Sequence, residues 1–259
     1  MARTILSQNA DIVLMQEVDF GSKRSHFIDQ ADWLARATRL GHIAKAITWD
    51  RAYVPYPYWP IHHHFGRVLS GGAVLSRFPI LKNEVVLLPK PDSKSWLYRY
   101  FYLHRFFQTV EIELTRGVGS FVNVHLEAFF AENRLLHAEL LKKKAESIRT
   151  PLLMAGDFNA PPSYASSRGP YTDSSDDYRS DKSFDLLSQI ASLTNVVTKE
   201  AYLRDEVRNW TFPSNNPNRR LDHAYVTREW NLLETHVLST GEASDHLPLM
   251  IIFSADSGK

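Results

Sequence analysis

The sequence predicts an α+β fold built on mixed β-sheets, in one domain spanning residues 1–259. Apolar, strand-like segments alternate with amphipathic helical segments, and two neighbouring strands are close enough in the chain to form a hairpin. A hairpin adds antiparallel pairing to this alternation, which argues against a purely parallel sheet. No linker composition interrupts the pattern, and 259 residues is an ordinary length for one large domain.

The first half of the chain contains two predicted helices and several predicted strands. Residues 2–9 are expected to be helical, and the continuous apolar run at 11–16 suits a buried strand. Residues 25–40 predict an amphipathic helix because their apolar side chains recur at helical spacing. Further strands are predicted at 43–48, 72–75 and 85–88.

The second half begins with the hairpin and ends in strands. Residues 109–114 and 120–125 flank the turn residues Arg116 and Gly117, which predicts two paired strands. A charged helix is expected from about residue 130 to 148, because Pro151 prevents its continuation. The remaining expectations are a strand at 152–155, a surface loop at 161–182, a helix at 183–191 and strands at 221–226, 233–238 and 247–253.

Composition limits the kinds of metal site and partner. There is no cysteine, so disulfides and thiolate metal sites are excluded, and a metal must bind carboxylates, amides or imidazoles. The formal net charge of +1 argues against tight non-specific binding of nucleic acid, although a nuclease needs only a local basic groove. No stretch is apolar for long enough to span a membrane, and the N-terminus lacks a signal-peptide core. These features favour a soluble cytoplasmic protein, unless an N-terminal targeting segment is missing.

Acids, amides and histidines stand at the ends of predicted strands, where side chains of neighbouring strands can converge at one edge of a sheet. The segments with this form are Gln16-Glu17-Val18-Asp19, Asn123-Val124-His125-Leu126, Gly156-Asp157-Phe158-Asn159-Ala160, Arg220-Leu221-Asp222-His223 and Ser244-Asp245-His246-Leu247-Pro248. Hydrolysis of a phosphate ester needs oxygen ligands for a hard cation, a base for the attacking water, and partners for the phosphoryl oxygens. The five segments contain residues of all three kinds.

Each residue type in these segments suits one part of that chemistry. The carboxylates of Glu17 and Asp245 are candidate metal ligands. The carboxylate of Asp222 can hold the imidazole of His246 in one tautomer. The remaining candidates are the imidazole of His125 and the acid–amide pair Asp157 and Asn159. Taken singly, each residue could be an ordinary turn or strand end, but their joint occurrence indicates a catalytic cluster.

These motifs, in this order, resemble those of the endonuclease/exonuclease/phosphatase superfamily. That group includes pancreatic-type deoxyribonucleases, apurinic-site endonucleases, neutral sphingomyelinases and inositol polyphosphate phosphatases. The segment Gly71-Gly72-Ala73-Val74-Leu75-Ser76-Arg77-Phe78-Pro79-Ile80 and the residues Trp210-Thr211-Phe212-Pro213 also resemble parts of its pattern. The resemblance covers residues 3–253, and five motifs in order make it highly specific.

The resemblance implies a fold and a cofactor. The fold is a DNase-like, four-layer α/β/β/α sandwich of two mixed β-sheets with helices outside. The cofactor is Mg²⁺, with Mn²⁺ as the alternative. By the same resemblance, Glu17 is the principal metal ligand and Asp245 assists it.

The resemblance also implies catalytic roles. His246 is the base or a phosphate-contacting imidazole, and Asp222 orients it. Asp157 orients or deprotonates the attacking water or protonates the leaving group. Asn159 and His125 bind the phosphoryl oxygens.

An aromatic run at residues 96–107 has two interpretations. It can be a core-covering segment, such as a strand packed on both faces, which we favour, or it can be a platform for substrate. Arg105, within the run, is a candidate phosphate contact. The density of Tyr and Trp beside Arg predicts that this run and the loop at 53–65 flank the mouth of the site.

The predicted function is hydrolysis of a phosphate ester, with a lipid or small-molecule phosphodiester as the favoured substrate. The alternative is an endonuclease or exonuclease acting on DNA or RNA, for which the chain offers the basic residues Arg204, Arg208, Arg219 and Arg220. An alternative of a different class is a catalytically silent binding protein that retains the fold. The intact set of polar motifs argues against that last alternative.

One part of the family pattern is missing from the beginning of the chain. The motifs of the family normally start with a strand that carries a Thr-x-Asn-like segment, whereas this chain opens within what resembles the following helix. We therefore expect that a first strand is absent and that it would lie beside residues 11–16 in the sheet.

Overall fold

Helices and strands alternate in the computed structural model, which describes residues 1–239 and 243–254. The first elements are α1 (Ala2–Ser7), β1 (Ile12–Asp19), α2 (Gln30–Thr38), β2 (His42–Val54), β3 (Gly66–Ser76), β4 (Ile80–Leu87), α3 (Trp96–Phe101), β5 (Phe106–Leu114) and β6 (Gly117–His125). They are followed by α4 (Ala131–Ser147), β7 (Leu152–Asp157), α5 (Ser183–Ser188), β8 (Leu193–Asn195), α6 (Lys199–Arg204), β9 (Asp222–Thr227), β10 (Asn231–Val237) and β11 (Leu249–Ser254). Within the described residues, no helix has both the length and the apolar character needed to cross a bilayer.

The strands form mixed sheets, as the sequence predicts. One sheet has six strands in the order β4-β5-β6-β7-β9-β8, in which β6 and β7 are parallel and the other neighbours are antiparallel. A second sheet has the order β1-β3-β2, and β10 pairs with β11. The hairpin predicted around Arg116 and Gly117 is confirmed as β5 and β6.

Three hydrophobic clusters separate four layers. Val74 of β3 and Phe121 of β6 belong to the cluster between the two sheets. Leu141 of α4 belongs to a second cluster, on the outer face of the six-stranded sheet. Ile5 of α1 and Leu34 of α2 belong to the third, which covers the outer face of β1 and β3. The six-stranded and three-stranded sheets therefore bury both faces, and the layers follow the order α/β/β/α that the family resemblance implies.

The helix predicted at 25–40 is shorter, because α2 begins only at Gln30. The backbones of His26 and Phe27 are left-handed, with φ of 54° and 59°, and this conformation cannot continue a right-handed helix. The helix starts after Asp29, whose side chain caps it by accepting a hydrogen bond from a backbone N–H of the first turn.

The interpretation of residues 96–107 as a packed strand is wrong for their first half. That half is helix α3, and strand β5 begins only at Phe106. Ser95 starts the helix, since its hydroxyl oxygen accepts a hydrogen bond from the backbone N–H of Tyr98 at 3.3 Å. No residue of α3 is buried. Nine of its twelve residues are aromatic or leucine, so the run carries no clear period that distinguishes a helix from a strand.

Strand β1 lies at the edge of its sheet in the part of the chain that the structure describes. Its hydrogen-bonded neighbour there is β3 alone, with Ile12 opposite Ser76 and Asp19 opposite Ser70. The first strand expected from the family pattern would lie on the other side of β1. Its absence stays a prediction.

Gly71, a residue of β3 that is paired with both β1 and β2, gives a prediction about stability. Gly71 lies between Val18 and Ile47, and a Cβ atom there would overlap the carbonyl oxygen of Ala46. We therefore expect Gly71→Ala to lower the free energy of unfolding by about 3 kcal/mol, the upper end of typical overpacking costs. Urea unfolding followed by circular dichroism measures this change as a lower midpoint at constant m-value.

The matched control is Gly41→Ala. A Cβ at Gly41 has no heavy atom within 4 Å, so this substitution should leave the urea midpoint unchanged or raise it slightly. Equal midpoints for the Gly71→Ala and Gly41→Ala variants would contradict the close approach of β2 to β3.

Candidate active site

The ends of three adjacent strands place three polar side chains side by side. His125 ends β6 and is paired with Asp157, which ends the parallel strand β7. Asp157 is in turn paired with Asp222, the first residue of the antiparallel strand β9. Paired residues point to the same face of a sheet, so the three side chains form a row across one edge. The structure thus brings residues of three of the five strand-end motifs together.

His246 reaches this row from the loop before β11. Its Nδ1 atom lies 2.8 Å from Oδ2 of Asp222, which fixes the orientation of the ring. The ring also packs against Phe212, with the centroids 4.7 Å apart. Asp222 and His246 thus have the geometry of a carboxylate–imidazole pair.

Two hydroxyl residues that sequence reasoning assigned no role hold this loop in place. The hydroxyl oxygen of Thr211 accepts hydrogen bonds from the backbone N–H groups of Leu221 (3.0 Å) and Asp222 (3.2 Å). Ser214 donates from its backbone N–H to the carbonyl oxygen of Asp245 (2.7 Å) and from its hydroxyl to that of Ser244 (2.6 Å). The segment before β9 therefore ties the start of that strand to the His246 loop. The sequence signal was the Trp210–Pro213 motif, although its spacing does not reveal these bonds.

A β-bulge directs Glu17 towards the row. Met15 is opposite Ala73 and Val18 is opposite Gly71, so two residues of β1 face the single residue Gly72. Glu17 is in the bulge, and its φ of 53° is a conformation that non-glycine residues rarely adopt. Bulges often redirect a side chain beside a functional site.

Buried amides connect this bulge to the six-stranded sheet. The side chain of Gln16 donates to Oδ1 of Asn123 at 2.5 Å, and Asn123 donates to the carbonyl oxygen of Met15 at 2.9 Å. Asn123 also contacts Gln108, which donates to the carbonyl oxygen of Ala44 at 3.0 Å. Buried polar groups of this kind are costly unless they are paired, so the network fixes one register between the sheets. Sequence reasoning missed the role of Gln108 because nothing local marks it.

Arg105 and Glu17 both lie beside the Nε2 atom of His125. Oε1 of Glu17 is 3.6 Å from Nη1 of Arg105 and 3.5 Å from Nε2 of His125. Nη1 of Arg105 lies against Nε2 of His125, which in turn is 3.6 Å from Oδ2 of Asp157. Arg105 is buried, and Tyr102, Glu17 and other acidic neighbours outweigh the effect of its burial and raise its pKa. Its guanidinium group is therefore a fixed positive charge in the site.

Asn159 holds Asp157 in place. Its backbone N–H donates to Oδ1 of Asp157 at 2.9 Å, and its Nδ2 donates to Oδ2 at 2.7 Å. The same Nδ2 donates to the carbonyl oxygen of Leu126 at 3.0 Å, so both of its amide hydrogens are used. Binding of a phosphoryl oxygen by this amide would require one of these bonds to open. That role stays a prediction, whereas the positioning of Asp157 is visible directly.

Burial and neighbouring charges shift the pKa values of the site. Burial acts to lower the pKa of His246, but the carboxylates of Asp222 and Asp157 outweigh it and raise that pKa well above its ordinary range. Burial raises the pKa of Asp157 against the opposing charge of His246, and the Asp222 carboxylate adds to the rise. Burial, reinforced by the charge of Arg105, lowers the pKa of His125. At neutral pH His246 is therefore cationic and His125 is neutral.

The described residues bring together one set of donor atoms that could hold a metal ion. Ligand atoms of Asp157, Asp222 and His246 lie within 4.8 Å of one another. Of the two predicted ligands, Glu17 faces the row across His125, and Asp245 is exposed but close enough to His246 to raise its pKa. The assignment of Glu17 and Asp245 as metal ligands stays a prediction.

Comparison with known proteins identifies relatives of the chain. The family model described as Endonuclease/Exonuclease/phosphatase family matches residues 1–246. No curated protein matches the sequence at a significant level.

Several solved structures are similar in fold. An endonuclease/exonuclease/phosphatase from Beutenbergia cavernae is 21% identical with a TM-score of 0.65; the match covers 96% of this chain and 64% of that one. A mannosyl-6-phosphatase from Bacteroides thetaiotaomicron is 18% identical with a TM-score of 0.61, over 98% of this chain and 88% of that one. The human Nocturnin catalytic domain with bound sulfate is 16% identical with a TM-score of 0.61, over 97% and 83%. At these identities the likeness establishes the fold, and the chain spans 64% of the Beutenbergia cavernae structure.

Proposed function

The chain belongs to the endonuclease/exonuclease/phosphatase family, and from this premise we propose that it is a divalent-metal-dependent hydrolase of phosphodiesters. The observation that supports this proposal most strongly is the row of His125, Asp157 and Asp222 across three strand ends, with His246 bonded to the last. A row of this kind brings acids, imidazoles and a buried guanidinium group to one edge, as phosphoryl transfer requires.

The donor chemistry of the site fits a hard divalent cation. Asp157 and Asp222 are neighbouring carboxylates with little exposure, and a cation would neutralise their repulsion. With no cysteine in the chain, oxygen and imidazole donors remain, and Mg²⁺ or Mn²⁺ suits them. We assign Glu17 as the principal ligand, assisted by Asp245. When bound, such an ion supplies Lewis-acid stabilisation of the charge that develops on the phosphoryl group.

The remaining side chains supply positive charge and hydrogen bonds. His246, cationic and oriented by Asp222, donates a hydrogen bond to a phosphoryl oxygen. Arg105 provides a fixed charge for a second oxygen, and His125 a neutral imidazole beside it. These groups are held in place before substrate arrives, so they need little reorganisation in the transition state.

Asp157 is the group best suited to move a proton. The raised pKa of Asp157 lies closer to neutral pH than that of an ordinary carboxyl group. The hydrogen bonds from Asn159 fix the orientation of the Asp157 carboxylate. We assign it to take a proton from the attacking water or to give one to the leaving alkoxide. Asn159 then acts as a positioning residue.

The favoured substrate is a lipid or small-molecule phosphodiester. Two of the basic residues that support the nuclease alternative, Arg219 and Arg220, are only 2% and 1% exposed, and Arg219 is paired with Asp173 at 3.0 Å. The other two, Arg204 and Arg208, line a cleft of about 600 Å³ whose walls include Trp210 and Leu247. These arginines therefore do not form one exposed basic groove for a nucleic-acid backbone.

Metal-dependent turnover is the direct test. We expect the purified chain to hydrolyse bis-p-nitrophenyl phosphate with Mg²⁺ or Mn²⁺, to lose activity in EDTA, and to regain it when the metal is restored. A parallel panel of sphingomyelin, phosphoinositides, DNA and RNA then ranks the substrates by kcat/KM. Preference for DNA or RNA would support the nuclease alternative. No turnover on any substrate with either metal would support the catalytically silent binding protein.

A further inference from the structure

An exposed apolar surface lies next to the candidate active site. We call it the aromatic surface, and its members come from the loop after β2, from α3 and from the segment before α4. Its residues are Tyr56, Tyr58, Trp59, Ile61, Trp96, Leu97, Tyr100 and Phe129. Tyr58, Trp59 and Trp96 are 80%, 78% and 77% exposed, among the highest values for large apolar side chains in the described residues. Large apolar side chains exposed to this degree are typical of a surface that binds a partner, a ligand or a membrane.

Cations join α3 to the end of β2 and to the segment before α4. Nε of Arg51, at the end of β2, donates to the carbonyl oxygen of Tyr100 at 2.7 Å, and its guanidinium group lies 4.7 Å from the Tyr100 ring. Nζ of Lys94 lies 4.7 Å from the ring of Phe130 and 5.9 Å from that of Tyr98. The loop is braced internally, since the rings of Tyr56 and Phe65 are 5.4 Å apart. Helix α3 is thus held next to the end of β2, from which the loop continues, and next to the segment before α4.

The surface is connected directly to the site. Tyr102 stacks on Tyr98 of α3 at 5.1 Å, and its hydroxyl donates to Oε1 of Glu127 at 2.7 Å. The next cation along the chain is Arg105, which contacts His125 and Glu17. A molecule resting on α3 would therefore lie beside the residues to which we assign hydrolysis.

The charge around the surface is positive. Residues 51–64 and 90–104 contain four lysines and arginines and a single acid, Asp92, in a chain whose net charge is only +1. Asp92 is paired with Arg99 at 3.1 Å. A partner that complements these segments combines anionic groups with an apolar region.

We propose that the aromatic surface adsorbs to an anionic phospholipid bilayer and presents a phospholipid diester to the active site. Trp and Tyr rings are the side chains best suited to the boundary between headgroups and acyl chains, and nearby cations attract anionic headgroups. The exposed aliphatic side chains Ile61 and Leu97 favour a bilayer over a single-stranded nucleic acid, because they offer no face on which a base can stack. The substrate assignment rests on the proposed function, whereas adsorption does not require hydrolysis.

The test measures binding of the full chain to sedimented vesicles in the presence of EDTA, so hydrolysis does not contribute. We expect binding to vesicles of phosphatidylcholine with phosphatidylglycerol, weaker binding to phosphatidylcholine alone, and loss of the difference at high salt. The double variant Trp59→Ser/Trp96→Ser should reduce the partition coefficient at least about tenfold, because both exposed rings leave the interface.

The matched control is Trp33→Ser, which removes a tryptophan that is 51% exposed on α2, outside the aromatic surface. It should bind vesicles as the wild type does. Equal binding by the double variant and the control, or binding of a single-stranded oligonucleotide without binding of vesicles, overturns the proposal. Vesicle binding that the double variant loses, together with no hydrolysis of phospholipid when metal is present, would uphold adsorption and reject the substrate assignment alone.

Discussion

Replacement of His246 by alanine is expected to lower kcat at least about a hundredfold, the usual scale for loss of a positioned acid–base group. The imidazole is cationic and held by Asp222 at 2.8 Å, so its loss removes both a charge and a directed hydrogen bond from the phosphoryl group. Steady-state kinetics on bis-p-nitrophenyl phosphate at saturating metal measures the effect. His236→Ala is the matched control, because that histidine lies on β10 with an exposed side chain, and it should leave kcat unchanged.

The variant Asp222→Asn distinguishes a residue that orients His246 from a residue that contacts the substrate itself. Asp222 acts on substrate only through His246, so its substitution should cost less activity than His246→Ala. It should also move the titration of His246 to lower pH, because the Asp222 carboxylate raises that pKa in the folded protein. The C2 proton resonance of His246 reports this shift, which a merely structural role for Asp222 would not produce. A larger loss of activity in Asp222→Asn than in His246→Ala would contradict the positioning role.

The row of catalytic candidates could be predicted from sequence because it depends on strand ends alone. Apolar runs end directly before His125 and at Asp157, and one begins directly after Asp222. Parallel and antiparallel neighbours bring such ends to one edge of a sheet, whatever the details of register. The residues of this row were therefore identified from local pattern, and the structure brings them together as paired positions.

The hydrogen bonds and the bulge that hold the site residues in place could not be predicted, because they depend on the register between strands that are distant in the chain. The amide network joins Gln16 of β1 to Asn123 of β6 and Gln108 of β5, and neither neighbouring residues nor spacing reveals these partners. The bulge at Glu17 is equally invisible in the sequence, since a bulge is defined by the strand opposite it. Sequence patterns therefore specify which side chains meet, but not what holds them in place.

A high density of aromatic residues predicts secondary structure poorly. In residues 96–107 it favoured a packed strand, whereas the first half of the run is the exposed helix α3. Aromatic or leucine side chains at nine of twelve positions fit the burial pattern of a strand and that of a helix equally, so only the cap at Ser95 distinguishes the two. The exposure that results is the observation from which we infer bilayer adsorption.

Glu17→Gln is expected to lower turnover at saturating Mg²⁺ at least about a hundredfold, because the substitution removes the negative charge of the proposed principal ligand and a hard cation depends on that charge. The side chain of Glu17 is 62% exposed, so the amide should fit without loss of folding. Kinetics across a Mg²⁺ titration, with calorimetric titration of Mn²⁺ on the same variant, measures both activity and metal affinity.

The expected pattern is a joint loss of Mn²⁺ affinity and kcat with an unchanged thermal unfolding midpoint. Glu113→Gln is the matched control, because Glu113 is an exposed glutamate on β5, and this variant should retain both metal affinity and rate.

Glu17 also contacts Arg105, and the two measurements together separate this contact from metal binding. Nη1 of Arg105 lies 3.6 Å from Oε1 of Glu17, so loss of the carboxylate could also disturb this guanidinium group. A variant that kept its Mn²⁺ affinity but lost activity would assign Glu17 to the positioning of Arg105 rather than to the metal. Unchanged turnover at saturating metal would remove Glu17 from the site chemistry altogether, and the ligands would then have to include the carboxylates of Asp157 and Asp222.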